Sequence, residues 1–202
     1  MKKLIVECIG TFFLVLTVAL TGSPIAIGFI LVALVYMGGY ISGAHYNPAV
    51  TIGLWISKKL DRRTAFRYIL AQLVGGIAAS AVYGFIKKDF FIPGPDVKVG
   101  MASAFFIEML FTFLLVSVVH HVAASDKTKG NQYYGLAIGF TVMAAAIAGG
   151  PISGGAFNPA VGVSPLLYDV TNISTHISSI MLYTVAPVTG GILGALVFKY
   201  LK

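Results

Sequence analysis

The chain has 202 residues, of which 57 % are hydrophobic and only 10 % charged, with a mean hydropathy of +0.89. A soluble domain carries about 25 % charged residues, so this composition excludes a water-soluble globular protein and points to one that lives in a bilayer. The net charge of +7 does not argue for nucleic acid, because the basic residues stand in short gaps between apolar runs, where they read as topology signals.

Six long apolar segments follow one another: Leu4–Gly22, Ile25–Ile41, Thr64–Ile86, Ala102–Ala123, Tyr133–Gly149 and Ser178–Leu201. Each is close to the ~20 residues that a spanning helix needs. Alternating ten-residue strands are absent, which excludes a β-barrel. Met1-Lys2-Lys3 opens the chain like a signal peptide, but the run behind it continues to Gly22 without a clear cleavage site and is read as a retained first span. Only Gly22-Ser23-Pro24 separates the first two spans. The single cysteine, Cys8, lies in an apolar helix, allows no intramolecular disulfide and has packing as its default role.

After the second span comes Ile41-Ser42-Gly43-Ala44-His45-Tyr46-Asn47-Pro48-Ala49-Val50, and after the fifth comes Ile152-Ser153-Gly154-Gly155-Ala156-Phe157-Asn158-Pro159-Ala160-Val161. Seven of the ten positions are identical. One Asn-Pro pair is an ordinary helix start; two ten-residue copies say that each half of the chain carries the same device. Asn is a good N-cap and Pro suits the first helical position, so each copy predicts a loop that opens a helix. The helix after Asn47 can run to about Ser57, roughly 15 Å, which is half of a bilayer core of ~30 Å. Two such half-helices, entering from opposite sides, would meet at the midplane with their positive ends and the amides of Asn47 and Asn158.

The repeat extends further. Glu7, Thr11, Phe12, Leu14 and Val15 match Glu108, Thr112, Phe113, Leu115 and Val116, Ala26–Phe29 matches Ala137–Phe140, and Tyr68 with Gly75-Gly76-Ile77 matches Tyr183 with Gly190-Gly191-Ile192. Each half, approximately residues 1–88 and 102–202 of a single transmembrane domain, has three spans and one re-entrant half-helix. Three is odd, so the halves insert with opposite orientation, and the functional locus is expected at the midplane between them. The pairs Gly75/Ala79, Gly135/Gly139 and Gly190/Gly194 let helices approach closely. Eleven of the fourteen Lys and Arg residues fall on one side and Lys87, Lys88 and Lys98 on the other. The positive-inside rule then places both termini in the cytoplasm.

These residues make the chain similar to the major intrinsic proteins, the aquaporin and aquaglyceroporin family. The likeness covers nearly the whole sequence: the paired Asn-Pro-Ala loops, His45 before the first motif, the Glu7–Phe12 run and the Gly-Gly-Ile pairs. It implies an all-α membrane fold of six helices plus two half-helices in an inverted repeat, a pore in each subunit, a homotetramer, and residence in the plasma membrane. It also implies a passive channel for water and small neutral solutes, with the lipid bilayer as its surroundings and no nucleic-acid partner. Nothing in passive conduction makes or breaks bonds, so no catalytic residue, cofactor or metal is expected. The backbone carbonyls of Gly43, Ala44, His45 and Tyr46 and of Gly154, Gly155, Ala156 and Phe157 would form a ladder of acceptors on one wall, with Asn47 and Asn158 donating at the midplane. Family members use Glu7 and Glu108 to hold the loop backbones.

The likeness carries the selectivity filter onto Ile27, Ala146, Gly155 and Val161. Most family members have Arg where Val161 stands, and water-selective members add an aromatic residue and a His; this chain has none of the three. A wide, apolar, uncharged filter is expected, open to glycerol, urea or ammonia, with cation exclusion resting on the half-helix dipoles. Glycerol facilitators carry Asp where Gly162 stands, and the nearest filter pattern is that of some plant tonoplast intrinsic proteins, which share the Val but keep a His at the position of Ile27. Two other readings stand beside the channel: a structural membrane protein with a closed pore, and a proton-coupled transporter using Glu7 and Glu108. His45 reads as a loop-positioning residue, His120 and His121 as interfacial anchors, and Tyr133, Tyr134 and Tyr200 as an aromatic belt.

Overall fold

The computed structural model describes residues 1–202, and it is all helical. The spans are α1 (Lys2–Thr21), α2 (Pro24–Ser42), α4 (Arg62–Lys87), α5 (Met101–Val119), α6 (Tyr134–Ser153) and α8 (Ile177–Leu201). Between them lie two short helices, α3 (Pro48–Ile56) and α7 (Pro159–Tyr168). The six long helices are each apolar and long enough to cross a membrane. The protein is an integral membrane protein built as six spans and two half-helices in an inverted repeat.

Local chemistry sets the ends. Gly22 turns left-handed to close α1, Ser23 caps α2 through the Ala26 N–H, and Pro24 takes the first helical position, which makes the two-residue connection possible. Two spans differ from the sequence reading. α6 does not stop at Gly149 but continues through Pro151 to Ser153, because a proline so near the C-terminus removes only one N–H bond and the Gly154 N–H still reaches Gly150. α5 ends in a π-helical turn, His120–Ala124.

The halves interlock. α1 packs on α4 and α5 on α8, while α2 meets α6 across the pseudo-dyad. Each half-helix crosses into the other half: α3 lies against α8 and α7 against α4. Glycines permit these crossings. A Cβ on Gly75 would strike the Cys8 backbone, and one on Gly190 the matching Met109 backbone. At the dyad, a Cβ on Gly139 would come 2.7 Å from the Gly28 carbonyl. In a bilayer, close van der Waals approach of this kind, not hydrophobic exclusion, holds helices together.

Burial is inverted relative to a soluble domain. Phe66, Phe85, Phe106 and Tyr200 are exposed, whereas Glu7, Gln72, Thr51, Glu108 and His120 are fully buried. The face carrying the termini, here the terminal face, also carries Lys59 and Asp126, joined at 3.5 Å, with Lys202 at 3.7 Å from the same carboxylate.

Candidate functional site: the paired half-helices and the lumen

The chain between α2 and α3 and that between α6 and α7 take the same unusual path. Gly43, Ala44 and Tyr46 have φ of 92°, 51° and 49°; Gly154, Gly155 and Phe157 have 87°, 67° and 47°. Left-handed backbone costs an L-residue about 1–2 kcal/mol, so Ala44, Tyr46 and Phe157 need external support. Two buried carboxylates supply it. Glu7 accepts from Ser42 Oγ (2.6 Å), His45 N–H (3.0 Å), Tyr46 N–H (2.8 Å) and Gln72 Nε2 (2.8 Å). Glu108 accepts from Ser153 Oγ (2.7 Å), Ala156 N–H (2.9 Å) and Phe157 N–H (2.6 Å). Inside a membrane these loop amides have no water to turn to. Tyr68 and Tyr183 complete the brace, donating to the carbonyls of Ser42 (2.8 Å) and Ser153 (2.6 Å) at the ends of α2 and α6.

Each loop ends in a capping asparagine. Asn47 Oδ1 accepts from Ala49 N–H at 2.8 Å and Asn158 Oδ1 from Ala160 N–H at 2.9 Å. The amide nitrogens cross over: Asn47 Nδ2 donates to the Phe157 carbonyl, and Asn158 Nδ2 to the Tyr46 carbonyl, both at 2.9 Å. The oxygens are thus committed to the caps, and each Nδ2 keeps one hydrogen. Both side chains border the principal cavity, so what they can present there is an N–H, reinforced by two helix N-termini.

That cavity has a volume of about 810 Å³ and mostly apolar walls. It opens on the terminal face beside Ser125–Gln132, passes the two asparagines, and reaches Val18 and Ile27, within about a turn of the far ends of α1 and α2. Of the filter residues carried over by likeness, Ile27, Gly155 and Val161 border it together; Ala146, though buried on α6, does not. Of the eight residues expected in the carbonyl ladder, Gly43, Ala44, His45, Gly155, Ala156 and Phe157 border the cavity, whereas Tyr46 and Gly154 do not. The Tyr46 and Phe157 carbonyls each accept from an asparagine and keep one lone pair; of the two residues only Phe157 borders the cavity, so Tyr46 and Gly154 fall out of the expected ladder.

His120 is not an interfacial anchor. It is fully buried, its Nδ1 2.7 Å from the Val116 carbonyl and its Nε2 2.8 Å from Ser57 Oγ at the end of α3. His121 is exposed, with Nδ1 2.8 Å from the Ser117 carbonyl. Sequence reasoning missed Gln72 and Thr51, which stand behind the first loop. A lone glutamine within an otherwise apolar span is the signal that could have found the first. Ser42/Ser153 and Tyr68/Tyr183 were visible as repeat positions, but their part in holding the loops was not.

The comparisons agree with this fold. The family model described as "Major intrinsic protein" matches residues 16–198. A relative from Nicotiana alata, "Probable aquaporin NIP-type", is 34 % identical over all of this chain and 78 % of its own length. "Glycerol uptake facilitator protein-like 6" of Lactiplantibacillus plantarum is also 34 % identical, over 96 % of this chain and 95 % of that protein. Among solved structures, the aquaglyceroporin from Plasmodium falciparum superposes with a TM-score of 0.81 at 23 % identity, covering 96 % of this chain and 93 % of that one, which is a likeness of fold.

Proposed function

The chain belongs to the major intrinsic protein family, and from that premise we propose that it is a passive channel for water and small uncharged solutes. The observation that carries this is the lumen itself: a long cavity with mostly apolar walls, in which both capping asparagines turn N–H groups toward the same midplane. A water or solute oxygen arriving there accepts from the amides. A cation meets two positive helix ends and loses more hydration than the walls return. Loop carbonyls of Gly43, Ala44, His45, Gly155, Ala156 and Phe157 supply acceptors on either side of that point.

Ile27, Gly155 and Val161 are proposed as the constriction. With Val161 in place of the family's usual Arg, the constriction has no fixed charge, and glycerol, urea and ammonia are proposed to pass with water. The names of the two relatives above, an aquaporin and a glycerol facilitator, fit either preference. The basic excess on the terminal face supports cytoplasmic termini; the family likeness supports a homotetramer, and a plasma-membrane location is proposed with it. A proton-coupled mechanism draws no support from Glu7 and Glu108, whose oxygens are taken up in bracing the two loops.

Proteoliposomes test the reading directly. Osmotic shrinkage should be faster than in empty vesicles and indifferent to an imposed proton gradient. Folded protein that adds no permeability to any of water, glycerol, urea or ammonia would refute it.

A further inference from the structure

The two loops are near copies, yet only the first has a chain of polar side chains behind it. Gln72 Nε2, bonded to Glu7, also lies 2.9 Å from Thr51 Oγ1, and Thr51 Oγ1 lies 3.1 Å from His45 Nδ1. At the matching positions of the second half stand Pro187, Gly162 and Ala156, none of which can continue such a chain.

Counting donors and acceptors, with one assignment at Thr51, gives each bond a direction. The Glu7 carboxylate only accepts, so Gln72 must turn its NH2 group toward it; the opposite flip would set two oxygens against each other at 2.8 Å. This orientation also accounts for Gln72 Oε1, which is buried without a partner. The same NH2 group donates to Thr51 Oγ1. The one proton of Thr51 is assigned to the Asn47 carbonyl at 3.0 Å, whose other lone pair takes the Thr51 N–H. What remains on Thr51 is a lone pair, and a lone pair can only accept from His45 Nδ1. With that assignment the ring carries its proton on Nδ1, and in the neutral imidazole Nε2 is bare. Nε2 has no hydrogen bond within the protein, is not among the buried unpaired atoms, and belongs to a residue on the cavity wall.

We propose that Thr51 and Gln72 act as positioning residues that lock His45 in the Nδ1–H tautomer, making its Nε2 a hydrogen-bond acceptor for solute N–H or O–H groups in the lumen. It is a specificity-determining residue of the first half alone. A solute leaving the midplane toward the terminal face exchanges two amide donors for a fixed side-chain acceptor; toward the other face it meets Ala156. Molecules that both accept and donate, such as water and urea, are served by this sequence. The solute-binding role rests on the channel reading, whereas the ring assignment does not.

Nitrogen-15 NMR of histidine-labelled protein in bilayers reads the tautomer, with the His45 signals identified by their loss in His45→Gln. The expected result is a protonated Nδ1 and an unprotonated Nε2 in the native protein. Thr51→Val should move the proton to Nε2, and Thr51→Ser, which keeps the hydroxyl, should restore it. In proteoliposomes, Thr51→Val should lower urea permeability about two- to tenfold, the worth of one hydrogen bond, and Thr51→Ser should recover it. A native ring protonated on Nε2, or a tautomer unmoved by Thr51→Val, overturns the assignment. A tautomer that moves while urea flux does not overturns the solute-binding role. An impermeable native protein with the expected ring overturns the channel reading and leaves the assignment standing.

Discussion

Asn47 and Phe157, 110 residues apart in the chain, are joined by one hydrogen bond: the Asn47 amide donates to the Phe157 carbonyl at 2.9 Å. The reciprocal bond from Asn158 to Tyr46 makes the meeting of the half-helices a closed, two-fold clasp. Neither loop has its midplane geometry without the other.

Asn47→Ala opens that clasp. A lost N-cap costs about 1 kcal/mol and a buried carbonyl left unpaired about 1–3 kcal/mol, so the variant should lose roughly 2–4 kcal/mol. Unfolding in detergent micelles measures it. Asn158→Ala should lose a similar amount, since its bonds are the same in kind and length; a large inequality would show that the clasp is not symmetric in energy.

Val161→Arg puts a long cation into the wall beside Gly155 and Ile27. Glycerol and urea permeability should fall more than water permeability, because the larger solutes lose their clearance first. Stopped-flow measurements on one preparation give all three rates. If they stay unchanged, position 161 lies off the conduction path.

Glu7→Gln and Glu108→Gln each leave one loop amide facing an N–H in whichever way the new side chain turns. A buried unpaired donor costs about 1–3 kcal/mol, and both variants should be destabilised by that order. Whatever flux remains should still ignore a proton gradient. Gradient-driven solute accumulation in the native protein, abolished in either variant, would instead mark these carboxylates as proton carriers.

Gly139→Ala forces α2 and α6 apart, because its methyl would come within 2.7 Å of the Gly28 carbonyl. Overpacking of this kind costs about 1–3 kcal/mol. Both helices also supply lumen wall, through Ile27 and Leu31 on one and Ile138 and Val142 on the other. The melting temperature should fall and water flux should change with it, whereas Gly150→Ala, in open space, should alter neither.

The turn after α7 should be acid-labile. Asp169 accepts from His176 Nε2 at 2.9 Å and from Asn172 and Thr171, and these bonds hold its carboxyl below the ordinary 3.8. A depressed carboxyl contributes stability above its unfolded pKa and loses it as pH falls through the folded value. Amide hydrogen exchange within residues 170–176, taken relative to the intrinsic rate at each pH, should therefore speed up from about pH 5 to about pH 2, and Asp169→Asn should remove that dependence.

Much of this was legible along the chain. The lengths of the apolar runs specify six crossings, and the repeated Asn-Pro-Ala places two helix starts that are too short to span. The matched Glu7 and Glu108 announce carboxylates that only backbone N–H groups or protons could justify in a membrane. What the chain could not disclose is rotation. These helices are apolar nearly all round, so no hydrophobic stripe says which side turns inward. Tight packing at Gly28, Gly75, Gly139 and Gly190 decides it instead. That is why His120 went inside, and why Gln72 came to rest between Glu7 and Thr51. Hydrophobic length is a one-dimensional property that residues carry by themselves, whereas the facing of a side chain is a relation between two helices and exists only once they have packed.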